Sequence, residues 1–255
     1  MKKLNSFLAA LMLMMGTSAM ATNTDSLTMR IKGMRCDDCA HKVMDRLTKI
    51  NGVEDIQFNL ERRTAIVYFD GSKTCADSIK APLIGTRYNP TSYSPKDVIM
   101  RGFGYKVEDM FCQNCANRLT KCLKKVDGVD SIAPHIDKQY VFIRYDANKT
   151  CKDSIRNALL GVGFTPVNYY TSKQISWAYY LVPKEQAKKA ELLNEVLAID
   201  GVDDVVMNPL RGSMAVTYDN KTVKADDLLK QIQALGIKAK LPKPHVCEEK
   251  TQKKK

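Results

Sequence analysis

The sequence lacks several features that assign proteins to common functional classes. It has no nucleophile–base pair and no phosphate-binding loop, so no catalytic activity is predicted. Its net charge is +12, but Lys and Arg are spread along the chain and no aromatic–basic RNA-binding motif is present, so nucleic acid is not an expected partner. After residue 21, no apolar segment is long enough to span a bilayer, so the mature chain is not expected to insert into a membrane.

The first 21 residues have the pattern of a secretory signal peptide. Lys2 and Lys3 precede an apolar run over residues 7–15, and the small-residue sequence Ala-Met-Ala follows at residues 19–21. No cysteine stands directly after the apolar run, so lipid attachment is not predicted. We expect cleavage after residue 21 and an exported mature protein, either periplasmic or secreted. The alternative is an N-terminal helix that is retained as a membrane anchor.

The mature chain contains an internal repeat. A shift of 76 residues places residues 29–90 on residues 105–166 without a gap. A gapless match over this length indicates duplication of one folding unit. The shared positions include Met34 on Met110, Cys36 on Cys112, Cys39 on Cys115, Leu47 on Leu123 and Asp70 on Asp146.

A third copy lies 73 residues beyond the second. The sequence Asp-Gly-Val-Asp at residues 127–130 recurs at residues 200–203, whereas Glu185 and Lys188 occupy the positions of the two cysteines. We interpret this copy as a scaffold without the site, a structural or docking module that folds by itself. The predicted division is residues 27–95, 103–171 and 175–242 for the three repeats, after a signal peptide at residues 1–21 and before a basic disordered tail at residues 243–255.

Each repeat predicts the element order β-α-β-β-α-β. In the first repeat, residues 27–32 alternate apolar and polar side chains, as a half-buried strand does. The next segment has a helical apolar stripe at Val43, Leu47 and Ile50, followed by Gly52, a residue suited to a left-handed helix end. Two βαβ halves of this length predict an α+β, ferredoxin-like sandwich with two helices on a four-stranded antiparallel sheet.

Two of the repeats carry a Cys-x-x-Cys pair where the first strand meets the first helix, Cys36 with Cys39 and Cys112 with Cys115. The first N–H groups of a helix have no intrahelical partner and carry part of the positive end of the helix dipole, so this position favours thiolate over thiol. The three-residue offset brings both sulfurs to one side of the first helical turn. Two thiolates without a harder ligand select a soft metal ion such as Cu(I).

The motif Gly-Met-x-Cys-x-x-Cys at residues 33–39 resembles the signature of the heavy-metal-associated domain. That family includes copper chaperones, exported mercuric-ion binding proteins and the N-terminal domains of metal-pumping P-type ATPases. The resemblance covers nearly the whole mature chain, as three copies. It implies a soft heavy-metal cargo such as Hg(II) or Cu(I), with Cu(I) as the first expectation, and a membrane metal transporter or another metal-handling protein as partner. The implied metal ligands are Cys36, Cys39, Cys112 and Cys115.

Four other residues are expected near the two cysteine loops. Met34 and Met110 each stand two positions before the first cysteine, and the strand alternation turns them inward, so they should pack beneath the loop. The resemblance places the aromatic residues Tyr88 and Phe164 near the metal end of their repeats.

Two positions depart from the family pattern, because Asp109 and Arg87 stand where glycine is usual. The cysteine pairs also have two other interpretations. A thiol–disulfide oxidoreductase begins a helix with Cys-x-x-Cys as well, although its units are longer and no aromatic-Cys-Gly-x-Cys motif occurs here. The second is an oxidised pair with a purely structural role. Our primary prediction is an exported metal carrier or scavenger, and the redox protein is the alternative.

Four cysteines lie outside the pairs. Cys122 is near the end of the first helix of the second repeat and Cys151 begins the second helix, so antiparallel helices would bring them together. We predict a disulfide bridge between them, with two separate buried thiols as the alternative. Cys75 lacks the corresponding partner, because Arg46 takes the place of Cys122 in the first repeat. Three further residues are weak ligand candidates: His41, His245 and Cys247.

Overall fold

The computed structural model describes residues 24–243, so the predicted signal peptide and nearly all of the predicted tail lie outside the described residues. The chain divides into two compact units, and the division falls between Tyr93 and Ser94. The first compact unit contains the first repeat, and the second contains the second and third repeats. Within residues 24–243, no helix combines the length and the apolar character that a bilayer crossing needs.

The first repeat forms a four-stranded antiparallel sheet that shares one core with its helices. Its elements are β1 (Thr24–Ile31), α1 (Asp37–Leu47), β2 (Val53–Asn59), β3 (Thr64–Asp70), α2 (Ala76–Lys80), a 3-10 helix (Ala81–Leu83) and β4 (Pro90–Ser92). The strand order is β2-β3-β1-β4. Val43 and Leu47 of the predicted helical stripe are fully buried against Ala65 and Val67 of the central strand β3. The predicted ferredoxin-like arrangement is confirmed.

The pairing of β1 positions the loop that carries the first cysteine pair. At the end of β1, Ile31 pairs with Pro90 of β4. The N–H of the next residue, Lys32, donates to the carbonyl of Asn89 at 3.1 Å. The loop after β1 therefore lies beside the segment that precedes β4.

The second repeat has the same architecture. Its elements are β5 (Met100–Lys106), α3 (Gln113–Leu123), β6 (Val129–His135), β7 (Tyr140–Asp146), α4 (Lys152–Gly161) and β8 (Val167–Asn168). The strand order is β6-β7-β5-β8, which matches the first repeat position by position. The predicted left-handed backbone after the first helix is confirmed at Gly52, and Gly128 and Gly201 have the same conformation at the corresponding positions of the other two repeats.

The third repeat follows the predicted element order as far as its last helix but lacks the fourth strand. Its elements are β9 (Ile175–Leu181), α5 (Lys184–Ala187), α6 (Ala190–Leu197), β10 (Val202–Asn208), β11 (Ser213–Asp219) and α7 (Ala225–Ala234). The sheet has three strands in the order β10-β11-β9, and a single bridge from Leu181 to Lys240 stands in place of the fourth strand. The first helix is split into α5 and α6, because Lys189 between them has an extended backbone. The prediction of a four-stranded sheet is therefore wrong for this repeat.

Both faces of the third repeat's sheet are buried. One face covers the repeat's own core, and the other packs Val206 and Ala215 against Val167 of the second repeat. The sequence of β10 explains this burial, because residues 205–207 form a continuous apolar run instead of an alternating one. Burial of the outer face by the second repeat argues against the expectation that the third repeat folds by itself.

Polar contacts frame the interface between the second and third repeats. Arg156 of α4 donates two hydrogen bonds to the carboxylate of Asp204, at 3.0 and 2.7 Å. The backbone N–H of Asn168 donates to the same carboxylate at 2.8 Å. The indole N–H of Trp177 donates to the Asn168 carbonyl at 3.0 Å, and its ring stacks on Tyr169 with the centroids 5.4 Å apart. These directional contacts fix the third repeat on the second.

Candidate metal sites

The first cysteine pair lies in the turn between β1 and α1. Cys36 is the N-terminal cap of α1, with an extended backbone, and its carbonyl accepts the N–H groups of Cys39 and Ala40 at 3.0 and 3.1 Å. This turn places the two side chains on one side, with their Sγ atoms 2.7 Å apart. Cys36 is exposed and Cys39 is buried. The pair therefore presents one accessible and one sheltered sulfur.

Hydrogen bonding makes the two thiols of the first pair differ in acidity. The hydrogen bond with Cys36 is the main cause that lowers the pKa of Cys39 to about 7, and the backbone of Arg35 and the charge of Arg87 act in the same direction. The same hydrogen bond raises the pKa of Cys36. The expected preference for thiolate therefore applies to one sulfur of this pair.

In the second pair the two cysteines exchange these roles. Cys112 is the N-terminal cap of α3, and its Sγ accepts a hydrogen bond from the backbone N–H of Cys115 at 3.2 Å. Hydrogen bonding with the Cys115 side chain, supported by the charge of Arg118, lowers the pKa of Cys112. Burial is the main cause that raises the pKa of Cys115. The more acidic sulfur is thus the second cysteine of the first pair and the first cysteine of the second pair.

The four other residues expected near the cysteine loops belong to the core of their repeats. All four are buried: Met34, Met110, Tyr88 and Phe164. A guanidinium lies over each aromatic ring, with Arg87 5.3 Å from the centroid of Tyr88 and Arg118 4.6 Å from the centroid of Phe164. Arg118 was not among the residues predicted from the sequence. The repeat could have pointed to Arg118, because a basic residue, Lys42, stands at the same helix position in the first repeat.

The two repeats anchor the start of the cysteine loop in different ways. In the first repeat, Gly33 has φ +84°, and a Cβ there would lie 2.3 Å from the carbonyl oxygen of Arg87, so only glycine fits. In the second repeat, Asp109 occupies this position and is buried. Its carboxylate accepts the N–H of Thr165 at 3.3 Å and the Thr165 hydroxyl at 3.0 Å. A close backbone contact in one repeat is thus replaced by a buried side-chain link in the other.

The described part of the chain offers neither pair a third ligand. Within it, no group of three or more His, Cys, Asp or Glu side chains could hold a metal ion. His41 is exposed on α1, and His245 and Cys247 lie outside the described residues. In the third repeat, Lys188 and Glu185 form an exposed ion pair at 2.8 Å where the other repeats have sulfur. Two sulfurs at each of two sites suit a soft ion that accepts a low coordination number.

The predicted bridge between Cys122 and Cys151 is not formed. Both thiols are free. Cys122 donates to the carbonyl of Ala158 at 3.2 Å, whereas Cys151 caps the start of α4 and contacts Ser154. Ala158 lies about 10 Å further along the helix than Cys151, at a rise of about 1.5 Å per residue, so Cys122 faces the second half of α4 rather than its start. Cys75, the corresponding cap of α2, is also free.

Comparison with known proteins matches a family to the two cysteine-bearing repeats. The model of the heavy-metal-associated domain matches residues 28–88 and residues 105–165. Two heavy-metal-associated domains are therefore present, one around each cysteine pair. The match does not extend to the third repeat, so its assignment to the family stays a prediction.

The chain is also similar to parts of longer proteins. It is 25% identical over 138 residues to the copper-exporting P-type ATPase of Bacillus subtilis (strain 168), covering 54% of this chain and 16% of that protein. It is 26% identical over 144 residues to the copper-exporting P-type ATPase of Staphylococcus saprophyticus, covering 56% of this chain and 17% of that protein. The solved structure of the N-terminal soluble domains of Bacillus subtilis CopA is similar at 23% identity, covering 60% of this chain and 99% of that structure, with a TM-score of 0.27. The chain spans about a sixth of the length of the two ATPases.

Proposed function

We propose that this chain is an exported carrier or scavenger of a soft metal ion, with Cu(I) as its cargo. The observation that carries the proposal is the presence, in two matching domains, of two sulfurs on one side of a helix start, without a harder ligand among the described residues. Soft thiolate ligands in low number are what Cu(I) prefers over ions that need oxygen or imidazole ligands. The proposed ligands are Cys36, Cys39, Cys112 and Cys115.

The chemistry follows from the unequal thiols. Near neutral pH, each pair holds one sulfur whose pKa is lowered and one whose pKa is raised. Binding of Cu(I) by both sulfurs releases the protons that the two thiols still carry and leaves a two-thiolate complex with one net negative charge. Arg87 near the first pair and Arg118 near the second supply positive charge that stabilises this complex. A thiolate of a partner that approaches the exposed Cys36 can take the ion by ligand exchange.

The partner in this proposal is a membrane metal transporter or another metal-handling protein. The similarity of the cysteine-bearing repeats to parts of copper-exporting ATPases supports this choice. Export is proposed from the signal-peptide pattern in residues 1–21. Mass spectrometry of the protein from a fractionated host should find a mature chain that begins at residue 22 in the exported fraction. An uncleaved chain in the cytoplasmic fraction would contradict export.

Competition with a Cu(I) chelator tests the metal function. Reduced mature protein is expected to bind about two Cu(I) ions, because two pairs of sulfurs are present. Replacement of both cysteines by serine in one pair should leave about one ion, and replacement in both pairs should leave none while the circular dichroism spectrum is unchanged. The matched control replaces the unpaired residues Cys75, Cys122 and Cys151 by serine and should keep two ions.

Tight binding by the variant without either pair would contradict the proposal. The redox alternative predicts a different result, namely insulin reduction that depends on the same four cysteines.

A further inference from the structure

The third repeat reaches the loops that border the second cysteine pair. Asp109 opens the loop that leads to Cys112 and is bound by Thr165 of the neighbouring loop. The hydroxyl of Thr165 is in turn 2.7 Å from the hydroxyl of Ser213 in the third repeat. Nε of Arg211 lies 3.6 Å from the carboxylate of Asp109. Two residues of the third repeat thus complete a cluster that joins both loops.

Asn208 holds the second loop from the same side. Its amide donates to the carbonyl of Phe164 at 2.6 Å and to the carbonyl of Leu160 at 3.2 Å. Its side-chain oxygen accepts the backbone N–H groups of Leu210 and Arg211, at 2.9 and 3.3 Å. One buried amide therefore shapes the turn that carries Arg211 and also holds Phe164, whose ring lies under the guanidinium of Arg118. We call Asn208, Arg211 and Ser213 the clamp residues.

The burial of this cluster makes its arrangement specific. Thr165, Asn208 and Ser213 are fully buried, and Asp109 is 2% exposed. A buried polar group that loses its partner is strongly unfavourable, so such a network restrains all its members together. The first repeat has no equivalent side-chain link at the start of its loop, because Gly33 stands at the position of Asp109.

We propose that the third repeat clamps the second cysteine pair and slows the release of its metal ion. This proposal rests on the proposed function, because it concerns metal exchange at one of the two sites. Ligand exchange requires the two sulfurs to separate and another thiol to approach, and both events need the bordering loops to move. The clamp residues oppose that movement in the second repeat. The chain then has a fast-exchanging first site and a retaining second site.

Transfer kinetics test the clamp in the full mature chain. One background carries Cys36→Ser and Cys39→Ser, so it reports the second site, and the other carries Cys112→Ser and Cys115→Ser, so it reports the first. Each is loaded with Cu(I) and mixed with excess chelator, and the release rate is measured. Further variants of both backgrounds are Arg211→Ala, the conservative Arg211→Lys, and the control Lys230→Ala, which removes a cation of the third repeat from an exposed ion pair.

We expect Arg211→Ala to speed release from the second site about tenfold, equivalent to about 1.4 kcal/mol in the barrier, and to leave the first site unchanged. Arg211→Lys keeps a cation and should speed release from the second site less than Arg211→Ala does. Lys230→Ala should leave the release rates of both sites unchanged. Equal acceleration at both sites, or no acceleration at the second, would overturn the clamp. Should Arg211→Ala impair folding, Ser213→Ala gives the same test with a smaller side-chain change.

Hydrogen exchange of the metal-free protein separates the clamp from the metal function. The backbone N–H of Thr165 donates to Asp109, so Arg211→Ala should make that amide exchange faster while amides of the first repeat are unaffected. Failure of the unaltered protein to load Cu(I) would remove the proposed function and the inference with it. Faster amide exchange with an unchanged Cu(I) release rate would remove the inference alone.

Discussion

The first and second repeats present the same cysteine motif on the same fold but support it differently. In the first, a glycine allows the backbone of the cysteine loop to lie against the carbonyl of Arg87. In the second, Asp109 occupies that position and joins a buried network that extends into the third repeat. A backbone contact needs no additional domain, whereas a buried carboxylate needs partners that only another packed element provides. In the proposed clamp, this difference is what allows a repeat without cysteines to act on the second cysteine pair.

The pairs also differ in which sulfur is the stronger acid. Both begin a helix, so the helix terminus favours thiolate equally in the two sites. The local hydrogen bonds then select Cys39 in the first pair and Cys112 in the second. The helix position therefore sets the general preference, and the immediate neighbours decide which sulfur carries the charge.

The largest effect is expected from breaking the interface that distinguishes the second repeat from the first. Asp204→Asn removes the negative partner of Arg156, which is mostly buried, and should destabilise the second compact unit by about 3 kcal/mol. Calorimetry should show a lower melting temperature for that unit, while the transition of the first compact unit stays in place. Asp227→Asn, which makes the same change in an exposed ion pair, is the matched control and should have little effect. Equal destabilisation by both variants would contradict the structural role of the interface.

A smaller effect is expected at the backbone contact of the first repeat. Gly33→Ala combines a left-handed backbone with a Cβ 2.3 Å from a carbonyl oxygen and should destabilise the first compact unit by at least about 2 kcal/mol. Gly85→Ala is the matched control, because Gly85 also has positive φ but no atom lies within 4 Å of the added Cβ. It should cost about 1 kcal/mol from backbone strain alone. Denaturant unfolding measures the loss of unfolding free energy in each variant. Similar losses for Gly33→Ala and Gly85→Ala would show that the close contact is unimportant.

The smallest expected effect is the pH dependence of the first pair. The pKa of Cys39 is lowered from 9.0 to about 7, so its thiolate contributes stability that is fully present above about pH 9 and is lost as pH falls through about 7. The pKa of Cys36 is raised, so its contribution to stability has the opposite pH dependence: it is present below about pH 9 and is lost as the pH rises further. The reduced, metal-free first repeat should therefore lose stability between pH 9 and pH 7.

Alkylation kinetics check this titration directly. Cys39 should react with iodoacetamide with a midpoint near pH 7, and Cys36→Ala should move the midpoint upward because it removes the hydrogen bond that is the main cause of the shift. A midpoint that does not move in this variant would assign the acidity to the backbone at the helix start and to the charge of Arg87 rather than to Cys36.

Local sequence patterns predicted much of the fold and the candidate site. The alternation in residues 27–32 predicted a strand, and the apolar stripe that follows predicted α1. Gly52 predicted the end of that helix. The structure contains all three. Met34 is buried as predicted, but the alternation does not explain it, because that pattern would turn residue 33 inward; the left-handed backbone of Gly33 changes the chain direction before Met34. These features depend on periods of two and 3.6 residues and on the conformations open to glycine, so they can be read from neighbouring residues.

Contacts between elements explain where the structure departs from or argues against the expectations from the sequence. The bridge from Cys122 to Cys151 required that the ends of two helices meet, and the packing of α3 on α4 instead places Cys122 beside Ala158. The third repeat was expected to fold by itself, but its continuous apolar run at residues 205–207 covers the second repeat. That run was visible in the sequence as a departure from strand alternation, and its meaning depended on what it packs against.

The sequence alone determined the repeat, the element order of the cysteine-bearing copies and the placement of two cysteine pairs at helix starts, because local spacing and periodicity fix these properties. Only the tertiary structure decided which sulfur of each pair is the stronger acid, where Asp109 finds its partners and what covers the sheet of the third repeat. These properties depend on groups far apart in the chain, whose distances and burial arise when the elements pack together.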